Sequence, residues 1–344
     1  MNTNNQQQMA VENKIIQIMV GSNLYGTVMR DSDVDYMGIF MPNEEYVVGL
    51  QRVNEVDLSI KSKKEDGRND SEAIDDKFYE FRQYLTKAIE CNPNILELLF
   101  VNDDNIKFIN SIGNELLNNR HLFPWKGLAQ KFLGYSFSQK HKMRIRTEHY
   151  GSIKAAHEYF TEFLSEDLAH DTLRDRRKLL TVLFVERFKP EFMTEKQNHF
   201  NLGDLSIQKS LQLVKVKAMV DARFSKATNR KGLMEKYGFD TKFGSHLVRL
   251  MLEGQELLET GELVFPLKES QLILDIKLGK YPMEEVLEMA DHYETIVETC
   301  RDKSDLPVKP RYKEVQQLCM RLIKDHLGYI IRDESFSSGT QYFG

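Results

Sequence analysis

The hydrophobic pattern of this 344-residue sequence changes near residue 105. Before that point, apolar residues occur in short runs rich in Ile, Val, Tyr and Phe, which are typical of β-strands. We predict strands at the runs KIIQIMV, DYMGIFM, YVVGL and VDLSIK, all between residues 14 and 61. Beyond residue 105, apolar residues recur every three or four positions, which is the pattern of amphipathic helices. The sequence therefore predicts an α+β fold.

The predicted elements divide the chain into two domains. A small mixed-sheet domain should cover residues 12–104, and a mainly helical domain that closes a cleft against it should cover residues 105–335. The predicted helices are Phe78–Cys91, Asn94–Val101, Tyr150–Phe163, Thr172–Phe188, Leu205–Ala222, Lys242–Thr260, Met283–Arg301 and Tyr312–His326.

Three segments should lie outside the packed elements. The first eleven residues are polar and predict a disordered leader. The charged stretch Lys61–Asp75 predicts a mobile surface loop, because it has almost no apolar residues to bury. The final segment, RDESFSSGTQYFG, predicts a loosely held tail.

Composition excludes several classes of protein. The longest apolar runs, such as Ile15–Val20, are far shorter than the ~20 residues that cross a bilayer, and no secretory signal precedes them, so we expect a cytoplasmic protein without membrane contacts. The net charge of −5 argues against a surface that binds nucleic acid throughout. Local basic segments occur at His141–Arg146 and Arg223–Lys236. Three cysteines without close spacing predict reduced thiols.

The segment Val20–Met41 carries the residues with the clearest chemistry. Gly21 and Ser22 end an apolar strand, where glycine lets the backbone turn sharply and approach a ligand. Amide N–H groups in such a turn and the Ser22 hydroxyl can donate to phosphate oxygens. This turn is our candidate for binding a triphosphate.

Asp33 and Asp35 are two residues apart at the start of a predicted strand, so their carboxylates should project from the same face. Two such carboxylates repel each other unless a cation binds between them. Mg²⁺ characteristically takes one or two carboxylates together with phosphate oxygens and water. We therefore predict that Asp33 and Asp35 bind one or two Mg²⁺ ions. The plain alternative is an acidic surface turn whose side chains cap local backbone groups.

Gly-Ser, ten residues and Asp-x-Asp together resemble the signature of the DNA polymerase β-like nucleotidyltransferase superfamily. The fuller form, GSNLYGT followed by DSDVDYMGIFM, is similar to one branch, the predicted nucleotidyltransferases found beside RNA ligases and in bacteriophages. The later runs NPNILELLF and YGFDTKFGSHLVRLMLEGQELLETGEL fit the same branch. The resemblance implies transfer of a nucleoside monophosphate from a nucleoside triphosphate, such as ATP, to an acceptor hydroxyl.

The resemblance also implies a third acidic residue on a neighbouring strand, which joins the metal site and acts as general base. The sequence offers Asp57, Asp76 and Glu80. We favour Asp76, because it starts an alternating segment that leads directly into a helix. The same position also suits a helix N-cap.

Lys242, His246 and Arg249 have the spacing i, i+4 and i+7 on a predicted helix, so they share a narrow band of its surface. We predict that they contact the β- and γ-phosphates of the nucleotide across the cleft. Glu253, four residues after Arg249, offers the alternative of an ordinary surface ion pair. By contrast, Asn94 and Glu97 are predicted to form a helix capping box.

The resemblance to proteins encoded beside RNA ligases suggests an RNA end, such as a tRNA, as acceptor. The two basic segments could contact its backbone, and Tyr135, Phe137 or Phe224 could stack on bases. Alternative functions are nucleotidylation of a protein or small molecule, and a catalytically silent nucleotide-binding protein. The base of the nucleotide and the oligomeric state stay open.

Overall fold

The structure is a computed structural model of the chain, and it describes residues 3–29, 34–60, 74–172, 174, 193–196, 198–226 and 236–328. A five-stranded mixed sheet occupies the N-terminal part, and the region that follows is mainly helical. The predicted α+β fold is confirmed.

The N-terminal sheet consists of β1 (Lys14–Val20), β2 (Val34–Phe40), β3 (Glu55–Asp57), β4 (Ile74–Glu80) and β5 (Ile106–Ile109). Across the sheet, the strands lie in the order β3-β4-β2-β1-β5. β1 is antiparallel to β2 and β5, whereas β2 and β4 are parallel. Because β5 follows residue 104, we propose to extend the N-terminal domain to include it.

The described helices are α1 (Thr3–Glu12), α2 (Ser22–Tyr25), α3 (Glu44–Val47), α4 (Phe81–Ile89), α5 (Pro93–Leu99), α6 (Ser111–Asn118), α7 (Leu128–Phe163), α8 (Glu166–Ala169), α9 (Leu213–Lys226), α10 (Thr241–Thr260), α11 (Ser270–Lys277), α12 (Met283–Lys303) and α13 (Tyr312–Leu327). None of them is long and apolar enough to span a bilayer.

Helix α10 lies at the centre of the helical region and packs against α7, α11 and α12. Its close approach to α7 depends on Gly254, where a Cβ would lie 3.1 Å from the Phe132 ring. The hydrophobic core around α10 is continuous with the core under the sheet, which includes Ile16 and Ile39. The two halves of the chain therefore share one core, and residues at their boundary are held in fixed positions.

A second, smaller core lies at the other end of α7. There α7 and α9 pack with a three-stranded antiparallel sheet of β6 (Met193–Lys196), β7 (His199–Leu202) and β8 (Leu205–Gln208). Buried members include Phe160, Phe200 and Val216. The sequence did not predict this sheet.

Several predicted elements are wrong in detail. The polar leader is helix α1, which buries Met9 and Ala10 against the sheet. The run YVVGL overlaps helix α3, because acidic residues in the first turn of that helix favour its N-terminus. The predicted helix Leu205–Ala222 starts as strand β8, and the helix itself begins at Leu213.

Most of the predicted loop Lys61–Asp75 lies outside the described residues, as do most of the predicted helix Thr172–Phe188 and the C-terminal tail. The predicted helices at Lys242–Thr260, Met283–Arg301 and Tyr312–His326 are confirmed within a few residues.

The packing of β2 on β4 gives a stability prediction. A Cβ at Gly38 would lie 2.2 Å from the ring of Phe78, which is buried. We expect Gly38→Ala to lower the free energy of unfolding by about 1–3 kcal/mol in urea denaturation, because the ring has to move within a packed core.

The matched control is Gly134→Ala, an exposed position of α7 where a Cβ meets nothing within 4 Å. That change should raise stability by up to ~1 kcal/mol, because alanine is the better helix former. Equal stability of Gly38→Ala and wild type would contradict the observed packing.

Candidate active site

The turn after β1 brings the Gly-Ser pair against Asp35. Gly21 has φ 67° and ψ −141°, a conformation that side-chain-bearing residues rarely adopt, and Ser22 begins helix α2. A Cβ on Gly21 would lie 3.1 Å from Oδ2 of Asp35. Glycine is therefore required by the backbone conformation, and a side chain here would also crowd the Asp35 carboxylate. The turn and the aspartate meet in space.

A cavity of about 230 Å³ opens between this turn and α10. Its walls include Ser22 and Asp35 from the N-terminal side and Lys242, His246 and Arg249 from α10. The structure thus brings five of the predicted site residues around one space. The remaining lining residues are Tyr25, Thr27, Met29, Ser245, Ile273 and Lys277. Asp33 lies outside the described residues.

The register of the sheet separates the acidic residues by face. In the parallel pair of β2 and β4, Asp35 lies opposite Asp75, and Tyr36 lies opposite Asp76. Paired residues share a face and successive residues alternate, so Asp75 lies on the face of Asp35 and Asp76 lies on the other. The structure does not bring Asp76 to the predicted metal site.

The contacts of Asp76 agree with this placement. Its Oδ2 accepts a hydrogen bond of 2.9 Å from Nε2 of Gln17, a β1 residue on the face away from Asp35. Its Oδ1 is buried and has no hydrogen-bond partner among the described residues. Burial raises the pKa of this carboxyl. Asp75, by contrast, is exposed and accepts a hydrogen bond of 2.9 Å from the Ser59 hydroxyl.

The two other candidates for the third carboxylate have different surroundings. Glu80 is buried and caps helix α4, because it accepts from the backbone N–H of Gln83 at 3.0 Å and pairs with Arg82 at 2.8 Å. It lies opposite Phe40, at the far end of β2 from Asp35. Asp57 is exposed on the edge strand β3.

Arg249 is the centre of a buried ionic cluster. Its Nη1 donates to Oε1 of Glu97 and, at 2.7 Å, to Oε1 of Glu253. Its guanidinium also lies over the Tyr25 ring, 4.0 Å from the centroid. The Tyr25 hydroxyl donates to the second oxygen of Glu97 at 2.6 Å. This Arg249 cluster connects α2, α5 and α10.

The Arg249 cluster corrects two sequence-based expectations. Glu97 does not form a capping box, because the helix it belongs to begins at Pro93 and its carboxylate is fully occupied inside the core. Arg249 does not form a surface pair with Glu253, because both side chains are buried. Glu97 and Glu253 both accept hydrogen bonds from the guanidinium. Its predicted contact with phosphates stays a prediction.

His246 and the lysines have different charge states. Burial, together with the nearby Arg249 and Lys142 cations, lowers the pKa of His246 to about 3, so the ring is neutral at physiological pH. Positive charge at the cavity is therefore supplied by exposed Lys242 and by Lys277 of α11, whose Nζ donates to the Thr27 carbonyl at 3.5 Å. The sequence-based prediction missed Lys277, because no motif marked it.

Comparison with known proteins finds one matching family and a bacteriophage relative. Residues 3–170 match the model of the RNA repair pathway DNA polymerase beta family. This N-terminal part of the chain is therefore similar to that family. The chain is also 24% identical over 294 residues, covering 80% of its length and 86% of the relative, to a protein of Enterobacteria phage T4 described as an uncharacterized 38.9 kDa protein in the nrdC-mobD intergenic region. No solved structure matches the chain significantly.

The residues around Asp35 fit a hard divalent cation. Asp35 and Asp75 lie side by side on neighbouring strands, which are roughly 5 Å apart, and both carry carboxylate oxygens. Mg²⁺ takes one or two carboxylates and completes its shell with substrate oxygens and water. Within the described ranges, no group of three or more His, Cys, Asp or Glu side chains forms a complete cage. Such a site suits an ion that arrives with a phosphate ligand.

Glu253 gives a prediction about pH and stability. Burial raises its pKa to about 8 although Arg249 acts in the opposite direction. A carboxyl with a raised pKa binds its proton more tightly in the folded protein than in the unfolded chain. Its effect is to lower the free energy of unfolding as pH rises from the unfolded pKa, near 4.5, to about 8.

In the wild type, the free energy of unfolding should fall by about 1 kcal/mol or more between pH 6.5 and 8.5, and we expect Glu253→Gln to remove this fall. The measurement is urea denaturation of wild type and variant at each pH. Glu298→Gln, which removes an exposed carboxylate from α12, is the control and should keep the wild-type dependence. A variant of Glu253 with the wild-type pH dependence would show that this carboxyl stays ionised in the folded state.

Proposed function

We propose that the chain is a Mg²⁺-dependent nucleotidyltransferase that moves a nucleoside monophosphate from a nucleoside triphosphate, such as ATP, to an acceptor hydroxyl. The observation that carries the proposal is the approach of the Asp35 carboxylate to the Gly21 turn at the edge of a cavity. A carboxylate that binds a metal and an adjacent turn that binds phosphate can act on the same ligand only if that ligand contacts both. A metal-bound triphosphate is such a ligand.

The proposed roles follow from the walls of the cavity. Backbone amides of the turn and the Ser22 hydroxyl donate to phosphate oxygens from one side. Lys242, and with it Lys277, attracts the phosphate charge from the other side. The positive charge that neutralises the pyrophosphate as it leaves is then held on α10 and α11, opposite the acceptor.

We propose that Asp33, Asp35 and Asp75 hold the metal, with Asp75 in place of the predicted Asp76. The bound metal would neutralise charge on the phosphates and favour ionisation of the attacking hydroxyl. Asp75 then accepts the proton of the acceptor hydroxyl. The hydroxyl oxygen forms a bond to the α-phosphorus, and the bond from the α-phosphorus to the bridging oxygen breaks, so that pyrophosphate departs with that electron pair.

Two neighbouring aspartates form a matched test of this assignment. Asp75→Asn should lower the transfer rate by about 100-fold or more, because it removes a metal ligand and a general base. Asp76→Asn changes the same atoms one residue later on the opposite face, so its rate should stay within about threefold of wild type. The assay follows label from an α-³²P-labelled nucleoside triphosphate, with Mg²⁺, into acceptor.

The Asp33→Ala, Asp35→Ala double variant should abolish all labelling, which checks that the chain itself is the source of activity. A full loss in Asp76→Asn with an active Asp75→Asn would reverse the assignment of the third carboxylate. Persistent labelling by the double variant would contradict the proposed enzyme.

We propose further that the acceptor is an RNA end, such as that of a tRNA, and that the protein acts in the cytoplasm. The description of the matched family as an RNA repair family supports this acceptor. So does the position of Lys142, from the first predicted basic segment, close enough to His246 to affect its ring. The side chains of residues 144–146 and the positions 227–235 of the second segment lie outside the described residues.

The three aromatic candidates for base stacking differ in availability. Tyr135 accepts a hydrogen bond of 2.9 Å from Asn92, and Phe224 stacks against Tyr150 and His157. Phe137 is 73% exposed on α7, one turn before His141. It is therefore the candidate that a base can reach without rearrangement.

We expect Phe137→Ala to raise the KM for RNA by about tenfold, since a base–aromatic stack contributes roughly 1–3 kcal/mol, and to leave the KM for the nucleotide unchanged. Phe163→Ala, at the other end of α7, is the control, because that side chain is also exposed. The assay uses labelled nucleotide with total tRNA. Label on protein or on a small molecule in place of RNA would favour the alternative acceptors.

A further inference from the structure

The hydrogen bond between Arg249 and His246 fixes which ring nitrogen carries a proton. Nη2 of Arg249 lies 2.6 Å from Nδ1 of His246, one turn earlier on α10. A guanidinium has only donors, so Nδ1 must be the acceptor. A neutral imidazole then carries its hydrogen on Nε2.

The guanidinium that fixes this tautomer is itself held in place. Its other nitrogen pairs with Glu97 and Glu253, and its plane lies over the Tyr25 ring. Glu97, Glu253 and Tyr25 thus surround Arg249, which is only 3% exposed. Arg249 therefore has one orientation in the core, and the orientation of the His246 ring follows from it.

The second nitrogen of His246 is the polar group left for a ligand. His246 lines the cavity, and its Nδ1 edge is occupied by Arg249. Within the described part of the chain, Nε2 has no hydrogen-bond partner. Burial and the nearby cations Arg249 and Lys142 keep the ring neutral, so it donates a single hydrogen bond, from Nε2.

We propose that His246 donates its Nε2–H to a phosphate oxygen of the bound nucleotide as a neutral ligand, and that Arg249 is a positioning residue that fixes this tautomer. The inference rests on the proposed nucleotide function and assigns a different role to each of two residues that share one face. Phosphate oxygens are pure acceptors at neutral pH, so a fixed N–H is the group they require. Arg249 then contributes to nucleotide binding without contacting the phosphates.

The first measurement is the tautomer itself. Long-range ¹H–¹⁵N correlation spectra of the full-length, ¹⁵N-labelled protein should show His246 as the Nε2–H form from pH 5.5 to 8, with no titration. Arg249→Lys retains a cation for the two glutamates but cannot donate in the same geometry, and we expect it to mix the two tautomers. An Nδ1–H form or an imidazolium in the wild type would overturn the proposal.

The second measurement is nucleotide affinity with matched substitutions at residue 246. With Mg²⁺ and a non-hydrolysable ATP analogue, His246→Ala should weaken binding about tenfold or more, since a hydrogen bond to a charged group is removed. His246→Gln should largely restore affinity, because its amide nitrogen reaches the position of Nε2. His246→Asn should resemble His246→Ala, because its amide nitrogen corresponds to Nδ1.

These outcomes separate the inference from the proposed function. Equal binding by wild type and His246→Ala, or equal loss in the Gln and Asn variants, overturns the inference alone. If the three variants of His246 change nucleotide affinity as expected but no acceptor is labelled, the inference is supported and the transfer reaction is overturned. A wild-type protein that binds no nucleotide overturns both.

Discussion

The ionic cluster around Arg249 is the interaction on which the geometry of the cavity depends. It joins Glu97 and Arg249, which are 152 positions apart in sequence, and it includes Tyr25 from the helix that Ser22 begins. Apolar residues of the same volume often stabilise a core as well as a buried ion pair does, so stability alone does not explain it. A directional cluster does more for this site, because it fixes the rotation of α10 and the position of the Gly-Ser turn together. The two walls of the cavity are set by one group of contacts.

The fold could be predicted wherever local pattern and tertiary environment agree. β1 and β2 are half-buried strands with β-forming residues, and the long C-terminal helices have wide apolar faces, so both follow from the sequence. β4 is different. Its sequence, IDDKFYE, has three consecutive charged residues after the first position, and it becomes a strand by pairing along its whole length with β2. The β6–β8 sheet likewise depends on packing against α7 and α9, which no local pattern reveals.

The candidate site was predictable to the extent that its residues are neighbours in sequence. One connection, from β1 to β2, separates Gly21 and Ser22 from Asp35. The motif therefore brings these residues together in any fold that keeps β1 and β2 paired. The third carboxylate depends on register between distant strands, and a shift of one residue moves a side chain to the opposite face. Asp75 and Asp76 are therefore chemically equivalent in the sequence and geometrically opposite in the sheet. Only the pairing with β2 distinguishes them.

On α10, sequence spacing predicts which residues share a face but does not predict their charge states. Positions i, i+4 and i+7 correctly place Lys242, His246 and Arg249 on one face, but helical spacing says nothing about their protonation or partners. Arg249 is buried in hydrogen bonds to Glu97 and Glu253, and burial beside two cations keeps His246 neutral. Along α10, the wall of the cavity therefore changes in charge, from the buried guanidinium of Arg249, through the neutral ring of His246, to the exposed ammonium of Lys242. In the proposed complex, a triphosphate would meet full positive charge at Lys242 and Lys277, so electrostatics as well as shape would set the position of its charged tail.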